Sequence, residues 1–211
     1  MQLVILANND QREAITASLS PEEKEISWID TPEAFLHYRQ AHAFIDLLFE
    51  NTGERIKILA GLLPQPVFIN AVTDCLDSIH PSFIRINGWE GFLSNRIVEA
   101  AALDDSRRSA AAAIWDQLNK KIVWCPDLPG FISARVIAMI INEAYWALEE
   151  GVATKEDMDI AMKTGTNYPF GPFEWGRKIG LLNIYTLLQT MSKGHEKYRP
   201  CPLLKTEAQI T

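Results

Sequence analysis

Histidine is the side chain that most readily exchanges a proton near neutral pH, and this sequence holds four: His37, His42, His80 and His195. No two stand at metal-sharing spacing, and His37, His42 and His195 fall in polar stretches that predict ordinary surface positions. Cys75, Cys125 and Cys201 are odd in number, widely spaced and never arranged as CxxC, so reduced thiols are expected, with no disulfide framework and no zinc site. The turn after the opening β-rich run reads Ala7-Asn-Asn-Asp-Gln-Arg and contains no glycine. A dinucleotide needs glycine there, so that backbone and helix N-terminus can face the pyrophosphate. Asn8 and Asn9 can take left-handed turn geometry, but their side chains fill the needed room, and Asp10 adds like-charge repulsion that Arg12 offsets in part. Asp30 stands about twenty residues past that turn, where an acid holds the adenine ribose hydroxyls. An aspartate before Thr31-Pro-Glu equally suits a helix cap.

These residues need elements to position them. Short β-rich runs are read at Gln2–Ala7, Glu25–Ile29, Ala43–Phe49, Pro66–Asn70, Ser82–Asn87, Arg96–Ala100 and Ile122–Cys125, alternating with helical stretches. That rhythm predicts a parallel sheet covered by helices. Glu54–Leu63 is the clearest early helix, and Asp104–Lys121 follows with acids in its first turn and lysines in its last. After Pro126 the β-rich runs stop, which predicts a boundary between domains at 1–126 and 127–211. Ile132–Glu150 is apolar on too many sides for a single stripe, so a helix buried all round is expected, ended by Gly151 in the left-handed position. Thr154 and Asp157 form a capping-box pattern for the next helix, which ends near Gly165. Tyr168–Trp175 reads as a turn-rich connector to a last helix around Leu181–Met191.

The 211 residues are 47% hydrophobic and 22% charged, an ordinary globular composition. A net charge of -7 disfavours tracking a phosphate backbone or docking on anionic lipid, so neither nucleic acid nor membrane is an expected partner. No run approaches the roughly 20 apolar residues of a bilayer crossing. The opening Met-Gln-Leu-Val-Ile-Leu has no basic region of the signal-peptide kind, and a cytoplasmic location is expected.

Several segments in fixed order carry a family resemblance: Pro129-Gly-Phe-Ile-Ser-Ala-Arg, Asn142-Glu-Ala, Glu149-Glu-Gly-Val-Ala, Glu156-Asp-Met-Asp, Tyr168-Pro-Phe-Gly-Pro-Phe-Glu and the closing Tyr198-Arg-Pro-Cys-Pro-Leu-Leu. Together they resemble the C-terminal domain of the 3-hydroxyacyl-CoA dehydrogenases. Upstream, Phe44-Ile-Asp-Leu-Leu-Phe-Glu-Asn resembles a strand and turn of that family's nucleotide-binding domain. The resemblance implies a reduced Rossmann-like α/β domain followed by an all-α dimerisation domain. It also implies NAD as cofactor, an acyl-CoA ligand, a role in fatty acid metabolism, and a homodimer formed through the helices. Asp46 and Glu50, on the upstream segment, are implied cofactor contacts.

In this family a histidine takes the proton from the 3-hydroxyl while NAD accepts the hydride, and a glutamate twelve residues later orients it. The segment Phe83-Ile-Arg-Ile-Asn-Gly-Trp-Glu-Gly-Phe is similar to the region around that histidine and puts Asn87 at its position, with Glu99 twelve residues on. An amide has no protonation equilibrium near neutral pH, so Asn87 can position a hydroxyl but cannot deprotonate it. Loss of a general base costs about a hundredfold to ten-thousandfold in rate. Ala134 stands where the family has a substrate-facing asparagine. Thr73 falls near its substrate-contacting hydroxyl residue, or caps a short helix. His80, at the far end of the same expected strand, is on the order of 20 Å from Asn87 and cannot replace the base. Three functions remain open: the family's dehydrogenase reaction, a catalytically inactive dimer binding acyl-CoA or a protein partner, and a repurposed pocket around Glu99, Asn87 and Trp89.

Overall fold

The computed structural model describes residues 1–17, 19 and 25–210 and separates them into two compact units, Met1–Phe131 and Ile132–Thr211. The first is a seven-stranded sheet: β1 (Gln2–Leu6), β2 (Glu25–Ile29), β3 (Ala43–Asp46), β4 (Val67–Asn70), β5 (Ile84–Ile86), β6 (Ile97–Ala101) and β7 (Lys121–Trp124), in spatial order β2-β1-β3-β4-β5-β6-β7. Alternate residues of β1 serve opposite faces. Leu3 and Ile5 join Ile45, Phe68, Ile84 and Trp115 on one, while Val4 and Leu6 join Phe44, Val67, Ile69, Phe35 and Leu59 on the other. A central strand covered on both faces reads as the continuous apolar run seen in the sequence.

The first five strands are parallel, but β6 pairs antiparallel with β5, and β7 runs parallel to β6. The sheet is therefore mixed. Among the described residues three α-helices accompany it: α1 (Asn9–Thr16), α2 (Gly53–Ala60) and α3 (Arg108–Gln117). The helix expected to end on lysines stops at Gln117. Asn119 takes a left-handed turn (φ 56°), and Lys120 points inward instead, donating from Nζ to Leu93 O (2.5 Å) and Asn95 O (2.9 Å).

Residues 127–131 go with the sheet, not with the helices that follow. The reason is Arg85 on β5, whose side chain is fully buried. It donates from Nε to Ala71 O (2.7 Å) and from Nη2 to Val72 O (3.2 Å) and Leu128 O (3.5 Å), and it pairs with Asp127. Its guanidinium lies 4.7 Å from the ring centre of Phe131, which itself has a positive φ of 47°. Asp127 also accepts the Leu76 N–H at 2.8 Å.

The second unit is all helix: α4 (Ser133–Glu149), α5 (Lys155–Thr166), α6 (Pro172–Ile179), α7 (Leu181–Ser192) and α8 (Pro202–Ile210). Ile137, Ala138, Ile141 and Tyr145 of α4 are buried, as are Ile184, Leu187 and Leu188 of α7 and Leu204 of α8. Asn142 spends its amide on the chain ahead of α8, accepting from Cys201 N (2.8 Å) and donating to Arg199 O (2.9 Å). Thr154 caps α5 through Asp157 N, and Gly151 has the positive φ expected of it. The helix runs past Gly165, and Asn167 is the residue that turns left-handed.

The expected connector is half helix. Gly171 lies so close to Asp159 that any Cβ would collide with it, Pro172 opens α6, and Glu174 accepts the Gly171 N–H at 2.9 Å. Nor is α4 buried all round: Ile132 and Val136 keep 55% and 50% of their surface exposed. Among the described residues no helix is long and apolar enough to cross a membrane.

Candidate functional site

Antiparallel pairing of β5 and β6 folds the twelve-residue separation of Asn87 and Glu99 back on itself. The Asn87 N–H donates to Glu99 O (3.0 Å), and the Asn87 Nδ2 donates to Glu99 Oε2 (3.0 Å). Both are largely buried, at 3% and 8% exposure. The Asn87 Oδ1 accepts the Trp89 N–H (3.4 Å), so both ends of the amide are engaged. The three residues grouped in the sequence therefore meet. They make an amide–carboxylate pair with no imidazole in it. A carboxylate accepting a fixed hydrogen bond can orient a polar ligand, but the amide beside it carries no exchangeable charge.

The neighbouring strand ends are tied by amides too. Asn70, closing β4, donates from Nδ2 to Leu47 O (3.1 Å) and accepts the Gly88 N–H (3.0 Å). A Cβ on Gly88 would sit 2.8 Å from the Asn70 side chain, so only glycine allows this approach. Neither Asn70 nor Gly88 was singled out by sequence, although the Asn87-Gly pair marks a tight backbone position.

The first turn differs from its expected form. Asn8 is not left-handed; it is extended (φ -75°, ψ 175°) and caps α1, while Asn9 is the first helical residue. The Asn8 Oδ1 accepts the Gln11 N–H (2.9 Å), and the Gln11 Oε1 accepts the Asn8 N–H (3.1 Å), a reciprocal capping box. Asp10 adds a carboxylate to the helix's first turn. Arg12 does not answer Asp10. Its Nη2 pairs with Asp30 Oδ1 at 2.5 Å and donates to Ile29 O (3.1 Å), while its Nε donates to Ala7 O (3.1 Å).

Asp30 is no helix cap either, since the following 3-10 helix, Pro32–Tyr38, has Thr31 at its N-cap. Asp46 corrects another expectation. It has no exposed surface and is gripped by Arg55 Nε (2.6 Å) and Nη2 (2.9 Å), so it faces its own chain and not a ligand. Burial raises its carboxyl above the ordinary value, opposed by Arg55. Glu50 is exposed beyond the same turn. Thr73 is half-buried and caps nothing; the short helix Leu76–Ser78 starts from Cys75 with no side-chain cap. Ala134 is buried in α4 of the second unit. His37, His42 and His195 are exposed, and His80 is stacked on Phe83 with its Nδ1 accepting Ser82 N (3.2 Å).

NAD, which the resemblance implies, finds a poor fit at this turn. Asn8 and Gln11 use each other's backbone N–H where a pyrophosphate would draw donors, and Asp10 adds a negative charge to the first turn of α1.

Comparison with known proteins places these observations. Residues 130–210 match the family described as 3-hydroxyacyl-CoA dehydrogenase, C-terminal domain. The 3-hydroxyadipyl-CoA dehydrogenase of Escherichia coli K12 is 37% identical over 166 residues, covering 78% of this chain and 31% of that protein. A 3-hydroxybutyryl-CoA dehydrogenase of Bradyrhizobium diazoefficiens is 38% identical over 110 residues, covering 51% and 38%. The chain thus spans about a third of the length of these relatives. Among solved structures, the (S)-3-hydroxybutyryl-CoA dehydrogenase of Ralstonia eutropha shares the fold over 99% of this chain and 93% of its own, with a TM-score of 0.75 at 20% identity. A 3-hydroxybutyryl-CoA dehydrogenase of Escherichia coli is 34% identical, with a TM-score of 0.60 over 68% of this chain and 31% of its own. With its Rossmann-like sheet and its matching helical domain, the chain belongs to the 3-hydroxyacyl-CoA dehydrogenase family.

Proposed function

We propose that this chain is a non-catalytic member of its family, a dimer that binds acyl-CoA or acts as a scaffold through its helical unit, without itself oxidising 3-hydroxyacyl-CoA. The observation that carries the reading is the Asn87–Glu99 pair: the carboxylate is kept, while the group it holds at 3.0 Å is an amide. The imidazole that takes the 3-hydroxyl proton in the family is absent here, and the Glu99 oxygen nearest that position is already held by the Asn87 amide. Loss of a general base costs about a hundredfold to ten-thousandfold in rate.

The dimer reading is supported by α4. Ile132, Val136 and Ile140 recur every fourth residue, on one side of the helix. Nearby, a cleft of about 320 Å³ is lined by Ile140, Ala144, Ala147, Met158, Met162 and Pro172. Apolar surface of this kind marks interaction sites.

The test is nicotinamide absorbance with acetoacetyl-CoA and longer 3-oxoacyl-CoA esters beside an active family enzyme. No change is expected from this chain; turnover within tenfold of the control sinks the proposal. The family's own NAD-dependent reaction is the second reading, favoured by the retained, buried Glu99, and the same assay decides it.

A further inference from the structure

We infer that the Gln11 side chain is a built-in occupant of the dinucleotide niche, so that the sheet unit neither needs nor admits a pyrophosphate at the end of β1. Gln11 stands at a different place in the fold from the missing imidazole. In an open α/β sheet a dinucleotide's pyrophosphate lies against the N-terminus of the helix after the first strand, between the C-terminal ends of neighbouring strands.

Gln11 reaches across that position. Its Oε1 accepts the Asn8 N–H (3.1 Å), and its Nε2 donates to Leu47 O beyond β3 (3.1 Å) and to Gly88 O beyond β5 (3.5 Å). One carboxamide therefore ties the ends of three strands. At 8% exposure it is not a loose side chain that an incoming ligand could push aside without loss. Displacing it would take its donor from Gly88 O, leave Leu47 O with Asn70 alone, and bring two phosphate charges against Asp10. Asn8 completes the closure by using the Gln11 N–H, the donor that an anion would otherwise take.

Two arms test this on the full chain. Titration with NADH, followed by calorimetry and by nicotinamide fluorescence, is expected to give no saturable binding up to roughly 1 mM. The melting temperature is expected to be the same with and without the nucleotide. Gln11→Ala is expected to lower that temperature by roughly 2–8 °C with no ligand present, because the end of β1 loses its tie to Leu47 and Gly88 while Asn70 still joins those two. Gln11→Met, which keeps the bulk and removes only the polar atoms, should do the same if the alanine variant does not fold. Saturable NADH binding below about 100 µM, competed by ADP-ribose, overturns the inference, as does an unchanged melting temperature in Gln11→Met. NADH binding without oxidation would remove this inference and leave the non-catalytic reading standing, so the two fail separately.

Discussion

Arg55 holds Asp46 through two nitrogen–oxygen pairs, 2.6 and 2.9 Å long, at a point where the carboxylate has no contact with solvent. The same guanidinium also donates to Leu48 O (3.0 Å), so it fixes the turn between β3 and α2. A buried charge pair of this kind gains little over an apolar pair, yet breaking it from one side is costly.

Arg55→Ala is therefore expected to lose about 3–5 kcal/mol at pH 7. The pH dependence has a definite sign. Burial already puts the folded-state carboxyl of Asp46 above its unfolded value of 3.8, and Arg55 opposes that rise, so removing it raises the carboxyl further. An acid raised in the folded state weakens the fold as pH climbs through the interval and restores it as pH falls. Denaturant melts of the two proteins at pH 7 and pH 4.5 should show the gap narrowing in acid. A gap that widens means Asp46 is not the group left unpaired.

Asn87→Asp would set a second carboxylate about 3 Å from Glu99. The pair then titrates as a unit and holds one proton to a higher pH than either acid would in the unfolded chain. Relative to the parent, the variant should lose about 2 kcal/mol or more between pH 4 and 7, the direction set by a raised acid. Thermal melts across that range read it. Equal pH profiles would show that the two side chains do not share an environment.

Lys120 gives the opposite slope. Its side chain is buried against two carbonyls, and burial lowers its amine below the ordinary 10.5. A base lowered in the folded state costs stability while charged, and that cost disappears as pH rises toward 10.5. The stability of the parent minus that of Lys120→Met should therefore increase between pH 8 and 10.5. Burial also raises the Tyr145 phenol, but this cancels in the difference because both proteins carry it. A flat difference would mean that the amine is solvated.

Val136→Asp tests the open side of α4. Because Val136 is half exposed, the fold should tolerate the change within about 0.5 kcal/mol, while a self-complementary interface should not. Light scattering at micromolar concentration is expected to give a dimer for the parent and a monomer for the variant, with matching far-UV spectra. A parent already monomeric at about 100 µM removes the dimer proposal.

The strands stand out in the sequence because a sheet favours apolar β-branched and aromatic residues, in continuous runs where it is buried at its centre and in mixed ones at the edge strands β2 and β7. Each expected run overlaps an observed strand. Direction is not written in such runs, which is why the reversal of β6 was invisible; only its pairing with β5 reveals it. Helix α6 had a legible signal, Pro at its first position with Glu174 two residues later, masked by a run rich in Pro and Gly. Asn8 and Gln11 likewise spell a capping box that reads as a turn when glycine is what is sought. Asp46 could not have been read from sequence alone. A carboxylate facing a ligand and one facing Arg55 nine residues on have the same spelling.

One practical consequence concerns where this polypeptide can be divided. Composition suggests severing it after Pro126, but Arg85 draws Asp127, Leu128 and Phe131 into the sheet's interior. A sheet fragment ending at Pro126 would keep a guanidinium shut away from water without its counter-ion, a defect that favours misfolding. The workable scissor point is the peptide bond between Phe131 and Ile132. A helical fragment beginning there also leaves the left-handed Phe131 behind with the partners that hold it.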